Sequence, residues 1–246
     1  MKKKQVEISV GKEIIRGTLV ADGRKRNVPA VLLVHGWRGS EVSYLPFAEK
    51  FAQEGAVCLT INLRGHGLSD GRENGMRDTY TAADHLKDVL AAYDFLVSQK
   101  RVSPRLIGAI GASYGAYLLA IASAKRKFSW LAFRAPALYP DEGFRRSTAK
   151  GIAAGLADFR QRTLGFKENR ALRCLHRFRG DMLVVSGELD IDVPQETIDN
   201  IIRAAEKTPL RHRLLMGADH RLSSEEARQK FNEILTRWVR VAITRP

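Results

Sequence analysis

Gly111-Ala112-Ser113-Tyr114-Gly115 follows the apolar run 106–110 and opens a second apolar stretch, 116–124, with a helical pattern. An apolar run, a glycine-flanked serine and a helical stretch predict a strand, a sharp turn and a helix with the serine at the apex. Small residues two positions before and two after the serine let the neighbouring segments approach closely enough for the turn to form. Strain at the apex lifts the Ser113 hydroxyl toward solvent. The N–H of Tyr114 then lies at a helix N-terminus, where an unpaired donor and the positive end of the helix dipole can receive a developing oxyanion. Standing alone, Gly-x-Ser-x-Gly is also an ordinary helix-capping turn, so the reading depends on the rest of the chain.

Residues 5–19 alternate around Val6, Ile8 and Val10 and again around Ile14, Ile15, Thr18 and Leu19, with Gly11-Lys12 between, which predicts an edge hairpin. Residues 30–34 form a continuous apolar run emptying into His35-Gly36-Trp37-Arg38-Gly39-Ser40, as a buried parallel strand would. After a helical stretch at 44–54, residues 56–61 repeat the pattern and empty into Asn62-Leu63-Arg64-Gly65-His66-Gly67-Leu68-Ser69. A 3.6-residue period predicts a long helix over 79–100. Further strands are expected over 130–133, 181–186 and 211–215, with helices over 196–205 and after Ser223, where Ser223 and Glu226 fit a capping box. Alternating strands and helices predict an α/β fold: a mostly parallel sheet covered on both faces, with ligands at the carboxyl ends of its strands. Residues 141–180 break the rhythm, being helical in composition and rich in arginine. They read as a small helical lid inserted over the sheet's carboxyl edge, with a pair of ordinary connecting helices as the competing reading.

The 246 residues suit one domain, 1–246, because no linker or low-complexity tract divides them. No apolar run approaches the roughly 20 residues a membrane span needs. Lys2-Lys3-Lys4 is followed by Gln5, Glu7 and Ser9 rather than an apolar segment, so no secretory signal is read and the expected compartment is cytoplasmic. Cys58 and Cys174 form neither a disulfide framework nor a metal-ligand spacing, and no metal or cofactor is expected. The net charge of +14 is spread along the chain rather than gathered in a nucleic-acid motif, so a solvated basic surface is expected and no nucleic-acid partner. Oligomeric state has no signature here.

A serine nucleophile needs a base to take its proton and a carboxylate to orient that base. Asp190 follows the strand ending near Ser186, and His220 the strand ending near Leu215, each in a strand-end loop. The order Ser113, Asp190, His220 is that of the α/β hydrolases. Asp192 competes with Asp190 but suits a cap for the helix beginning near Pro194; Asp219 adjoins His220 too closely to orient its ring. His35 and His66, in glycine-rich loops, read as structural residues bonding backbone, and His85, His176 and His212 as surface or core-filling ones. A second oxyanion donor is expected from the loop after the strand containing Val34, with the Trp37 N–H as candidate and its indole as pocket lining or core.

With these residues assigned, the chain resembles an α/β-hydrolase, in particular the compact esterases and acyl-aminoacyl-peptidase-like members. The 62–69 loop is similar to the family's D-x-R-G-x-G-x-S, with Asn62 in place of the usual Asp. The resemblance spans about residues 6–239 and implies an eight-stranded sheet whose second strand is antiparallel. The residues are read as a serine hydrolase cleaving a small-molecule carboxylic ester through an acyl-enzyme, and the charge of the arginine-rich lid as favouring acidic or aromatic-acid esters. The alternatives are a peptidase, amidase or thioesterase on the same residues, and a non-catalytic binding protein of the same fold.

Overall fold

Period-two alternation divides the strand side chains between two apolar layers. Leu32, Val34, Leu59 and Ile61 point into one, while Val31, Leu33 and Cys58 point into the other. The computed structural model describes residues 1–67, 79–147 and 155–244. Its strands are β1 (Lys2–Val10), β2 (Glu13–Ala21), β3 (Val28–Val34), β4 (Val57–Ile61), β5 (Val102–Ala112), β6 (Trp130–Arg134), β7 (Asp181–Gly187) and β8 (Leu210–Leu215). They form one sheet in the order β1-β2-β4-β3-β5-β6-β7-β8. The β1–β2 hairpin joins β4 antiparallel, and the remaining pairs are parallel. This is an α/β-hydrolase sheet with its second strand antiparallel, as the resemblance implies.

Helices α1 (Leu45–Gln53), α2 (Ala82–Val97), α3 (Tyr114–Ala122), α4 (Leu156–Arg160), α5 (Arg170–Arg177), α6 (Gln195–Ala204) and α7 (Glu225–Thr244) complete the described helical segments, beside short 3-10 turns. Helices α2, α3, α5 and α6 cover one face; α1 and α7 cover the other. Helix α3 is buried along its length because it lies between the sheet and α2 and α5. No helix among the described residues is long and apolar enough to cross a membrane.

Two expectations change. In the 141–180 segment, α5 buries Ala171, Leu172 and Leu175 against α3 and α6, so this part is a layer helix rather than a cover for the site. Among the described residues of 141–180, Leu156 and Arg160 of α4 line the cavity that holds Ser113; residues 148–154 of the expected lid lie outside the described residues, as do Leu68 and Ser69. At the start of α7, Ser223 donates to Asp219, and it is Ser224 Oγ that accepts the Ala227 N–H at 3.1 Å. The cap is displaced by one residue because Asp219 competes for the Ser223 hydroxyl, while Glu226 pairs with Lys230.

Gly108 shows how tightly the two layers are joined. It pairs with Trp130 across β5 and β6, and a Cβ there would stand 1.8 Å from the Trp130 indole, which meets Trp238 of α7 edge-on at 5.5 Å. Gly108→Ala is expected to force that indole out of place and to lower stability by about 2 kcal/mol. The thermal midpoint should then fall by roughly 4–8 °C, measurable by scanning calorimetry; an unchanged midpoint would mean the indole shifts without cost.

Candidate active site

Ser113 adopts φ 49° and ψ −109°, a left-handed conformation that costs energy in any residue with a Cβ. The flanking glycines make it attainable. A Cβ on Gly111 would meet the backbone of Ala116 at 2.8 Å, and one on Gly115 would meet the Val34 and His35 carbonyls at 2.4 and 2.5 Å. Three backbone bonds pin the turn: the Ser113 N–H donates to the Arg134 carbonyl, and the Ser113 carbonyl accepts from Tyr117 and Ala137. The serine therefore stands where β5 meets the N-terminus of α3.

Asp190 and His220 approach from neighbouring loops. Gly187, at the end of β7, lies so close to the His220 loop that a Cβ would be 2.4 Å from the Ala218 carbonyl. The Leu189 N–H donates to that carbonyl, fastening the two loops together. Asp190 Oδ1 accepts the N–H groups of Asp192 and Val193 at 3.0 and 2.8 Å, and Oδ2 lies 2.8 Å from His220 Nδ1. The carboxylate is buried and the ring partly exposed, with the His220 carbonyl accepting from Arg134 Nη1. Asp190 rather than Asp192 thus faces His220 Nδ1, because its turn points it inward. Asp192 is exposed. Donor atoms of Asp190, Asp192 and His220 lie within 4.8 Å of one another, close enough for a cation, yet both Asp190 oxygens are already engaged by hydrogen-bond donors.

Ser113 and His220 line the same cavity of about 770 Å³, open to solvent. No direct hydrogen bond joins their side chains among the described residues; such contacts commonly tighten only when substrate enters. The Trp37 and Tyr114 N–H groups have no carbonyl acceptor among the described residues, and Gly36 lets the Trp37 loop pass beside Ser113. Trp37 lines the cavity, and its indole meets Tyr114 edge-on at 5.4 Å.

Beneath this corner lies a buried polar network. His35 Nδ1–H donates to the Gly36 carbonyl and its Nε2 accepts the Leu63 N–H, so one ring ties the loops after β3 and β4 together. His85 Nε2–H donates to the Arg64 carbonyl and Nδ1 accepts the Tyr114 hydroxyl. Arg64 pairs with buried Asp88 at 2.7 Å. Asn62 fits where the family usually has Asp: it accepts the Glu41 N–H at 2.9 Å and donates toward the Glu41 carboxylate, which would repel a second acid.

Sequence reasoning passed over Arg134, Tyr139 and Arg160, which also line the cavity. Burial pushes the Tyr139 phenol up, while the Arg160 charge and the nearby Arg160 and Ser113 side chains pull it back. The available signal was position, since Arg134 ends a strand and Tyr139 lies in the loop that follows.

Residues 37–245 match the prolyl oligopeptidase family, and the chain belongs to that family. With the sheet described above, this places the chain in the α/β-hydrolase fold class. Among solved structures it is similar to Est1E of Butyrivibrio proteoclasticus with ferulic acid bound (16% identity, TM-score 0.74, 98% of this chain and 100% of that one). It is also similar to the acylaminoacyl peptidase of Pyrococcus horikoshii (14% identity, TM-score 0.74, 100% of this chain and 42% of that one). Among curated proteins, the quorum-quenching protein AidA of Acinetobacter baumannii is 28% identical over 123 residues, 49% of this chain and 38% of AidA. An uncharacterized 31.7 kDa protein of Escherichia coli, from the traX-finO intergenic region, is 31% identical over 88 residues, 35% of this chain and 29% of that protein. The matches thus span about a third of these curated relatives.

The histidines set a pH dependence. Burial, reinforced by His66, holds His35 and His85 down at about 3 from an ordinary 6.5. The unfolded chain therefore binds more protons than the folded one between about 3 and 6.5, and stability rises with pH across that window by up to about 1.4 kcal/mol per unit for each ring. Asp88 acts oppositely: burial, against the pull of Arg64, raises it to about 6, so its contribution falls as pH rises toward that value. The two histidines outweigh it. Thermal midpoints should fall steadily as pH drops from 6.5 toward 4, and His35→Asn should flatten the slope; parallel profiles for both proteins would contradict a neutral buried ring.

Proposed function

We propose that the protein is a serine esterase working through an acyl-enzyme. Ser113 Oγ attacks the ester carbonyl while His220 Nε2 takes its proton, and the N–H groups of Trp37 and Tyr114 bind the oxyanion. Collapse breaks the carbon–oxygen bond and His220 returns the proton to the departing alcohol. Water, deprotonated by the same ring, then releases the acid and restores Ser113. Asp190 holds His220 in the tautomer that leaves Nε2 free and stabilises the cation that forms.

The observation carrying this reading is a strained serine that shares its cavity with an imidazole whose far nitrogen is bonded, at 2.8 Å, to a buried carboxylate. An ester rather than an amide is proposed because the fold is also similar over 98% of this chain and 91% of the other to the esterase Pf2001 of Pyrococcus furiosus. Residues 1–246 are read as one domain, with 141–180 as an insertion from which Leu156 and Arg160 of α4 line the cavity. Two free cysteines accord with a reducing, cytoplasmic setting.

A fluorophosphonate should label Ser113, as read by mass spectrometry. Ser113→Ala should lower p-nitrophenyl ester turnover by about 10,000-fold or more. Anilide and thioester probes of the same acyl group should turn over more slowly; a faster anilide would favour a peptidase. Neither label nor turnover in folded protein would move the reading to a binding protein.

A further inference from the structure

Among the described residues, four arginines and one carboxylate, that of Asp192, line the cavity that holds Ser113. Arg160, on α4, is only 8% exposed. Its Nε donates to the Leu138 carbonyl and its Nη1 to the Asp192 carbonyl, and the guanidinium lies 4.9 Å from the centre of the Tyr139 ring. Arg134, at the end of β6, accepts the Ser113 N–H with its carbonyl, donates Nη1 to the His220 carbonyl and lines the same cavity. Neither arginine forms an ion pair with a carboxylate among the described residues. Arg38 and Arg221 add exposed charge around the same cavity, and Asp192 is the acid lining it.

Carbonyl bonds orient a guanidinium without neutralising it, and a buried charge without a counter-ion is costly. A site that keeps Arg160 in this state is arranged for a negative charge that arrives from outside. With Nε and Nη1 bonded to carbonyls, Nη2 is left to donate a charge-assisted hydrogen bond to a carboxylate oxygen. The presence of Asp192 at the edge favours a singly charged group over a dianion.

We propose that the substrate is an ester bearing a second, ionised carboxylate, which Arg160 receives while Ser113 faces the ester carbonyl, with Arg134 adding positive charge to the same cavity. This rests on the esterase reading and names its substrate class. The overall charge of +14 also draws anions, but that attraction is screened over about 8 Å at physiological salt, whereas a contact to a buried guanidinium is screened far less.

The test compares kcat/KM for p-nitrophenyl hemiglutarate and p-nitrophenyl pentanoate, matched in length, after subtraction of uncatalysed hydrolysis. We expect at least a tenfold preference for the hemiglutarate that persists in 0.5 M NaCl, by the reasoning on screening above. Arg160→Gln should lower that ratio about tenfold, whatever its absolute turnover, and Arg160→Lys should recover part of it. A wild-type ratio at or below one, a preference abolished by salt, or a ratio indifferent to Arg160→Gln would overturn the proposal. Should the variants fail to fold, competitive inhibition of pentanoate hydrolysis by glutarate but not by glutaramide supports it, and equal inhibition by both overturns it. Calorimetry on Ser113→Ala with monomethyl glutarate separates the two readings. Binding without turnover of either ester by wild type would sink the esterase and keep the anion site; turnover of the neutral ester without glutarate binding would sink the anion site alone.

Discussion

The backbone of Ser113 is held in a conformation it would not adopt alone, and much of the fold serves to hold it there. Gly111 and Gly115 remove the two Cβ atoms that would collide with Ala116 and with the Val34 and His35 carbonyls. Backbone bonds from Ser113 to Arg134, Tyr117 and Ala137 anchor the strained residue to β6, to α3 and to the loop beyond. Such strain persists only where the surroundings over-determine it. Here the surroundings are the central strands of the sheet, buried on both faces.

The same close approach governs the partners of Ser113. Gly187 allows the loop after β7 to touch the loop after β8, and that contact sets the distance between Asp190 and His220. On the other side, His35 ties together the loops after β3 and β4, and the tie requires a neutral ring because each nitrogen has a different role, one donating and one accepting. Burial keeps it neutral. The corner near the Trp37 and Tyr114 amides is thus built from neutral imidazoles and from Arg64 paired with Asp88 and Glu13, while Arg134 and Arg160 of the cavity have no carboxylate partner among the described residues. That difference separates groups engaged in holding the structure from groups with charge left for a ligand.

Much of this was legible in the chain. Parallel strands buried on both faces must be apolar throughout, so β3, β4, β6 and β7 stand out as continuous runs, and the glycines flanking Ser113 mark a turn that few other residues permit. The glycine-flanked turn, the order of the residues and their strand-end positions pointed to Ser113, Asp190 and His220, because a parallel sheet gathers its carboxyl ends on one side. Local chemistry was read less well where two neighbours competed, as at Ser223 and Ser224, since Asp219 was not visible as a rival acceptor.

What the sequence by itself determined is therefore the sheet, its two helical layers and the order of the three strand-end residues, all of which follow from periodicity and glycine sterics within short windows. Only the tertiary structure decided which aspartate meets His220, where α5 belongs, and that Tyr139, Arg134 and Arg160 share a cavity with Ser113. Those outcomes depend on the direction in which a side chain leaves its turn and on contacts between segments far apart in the chain, neither of which leaves a periodic trace.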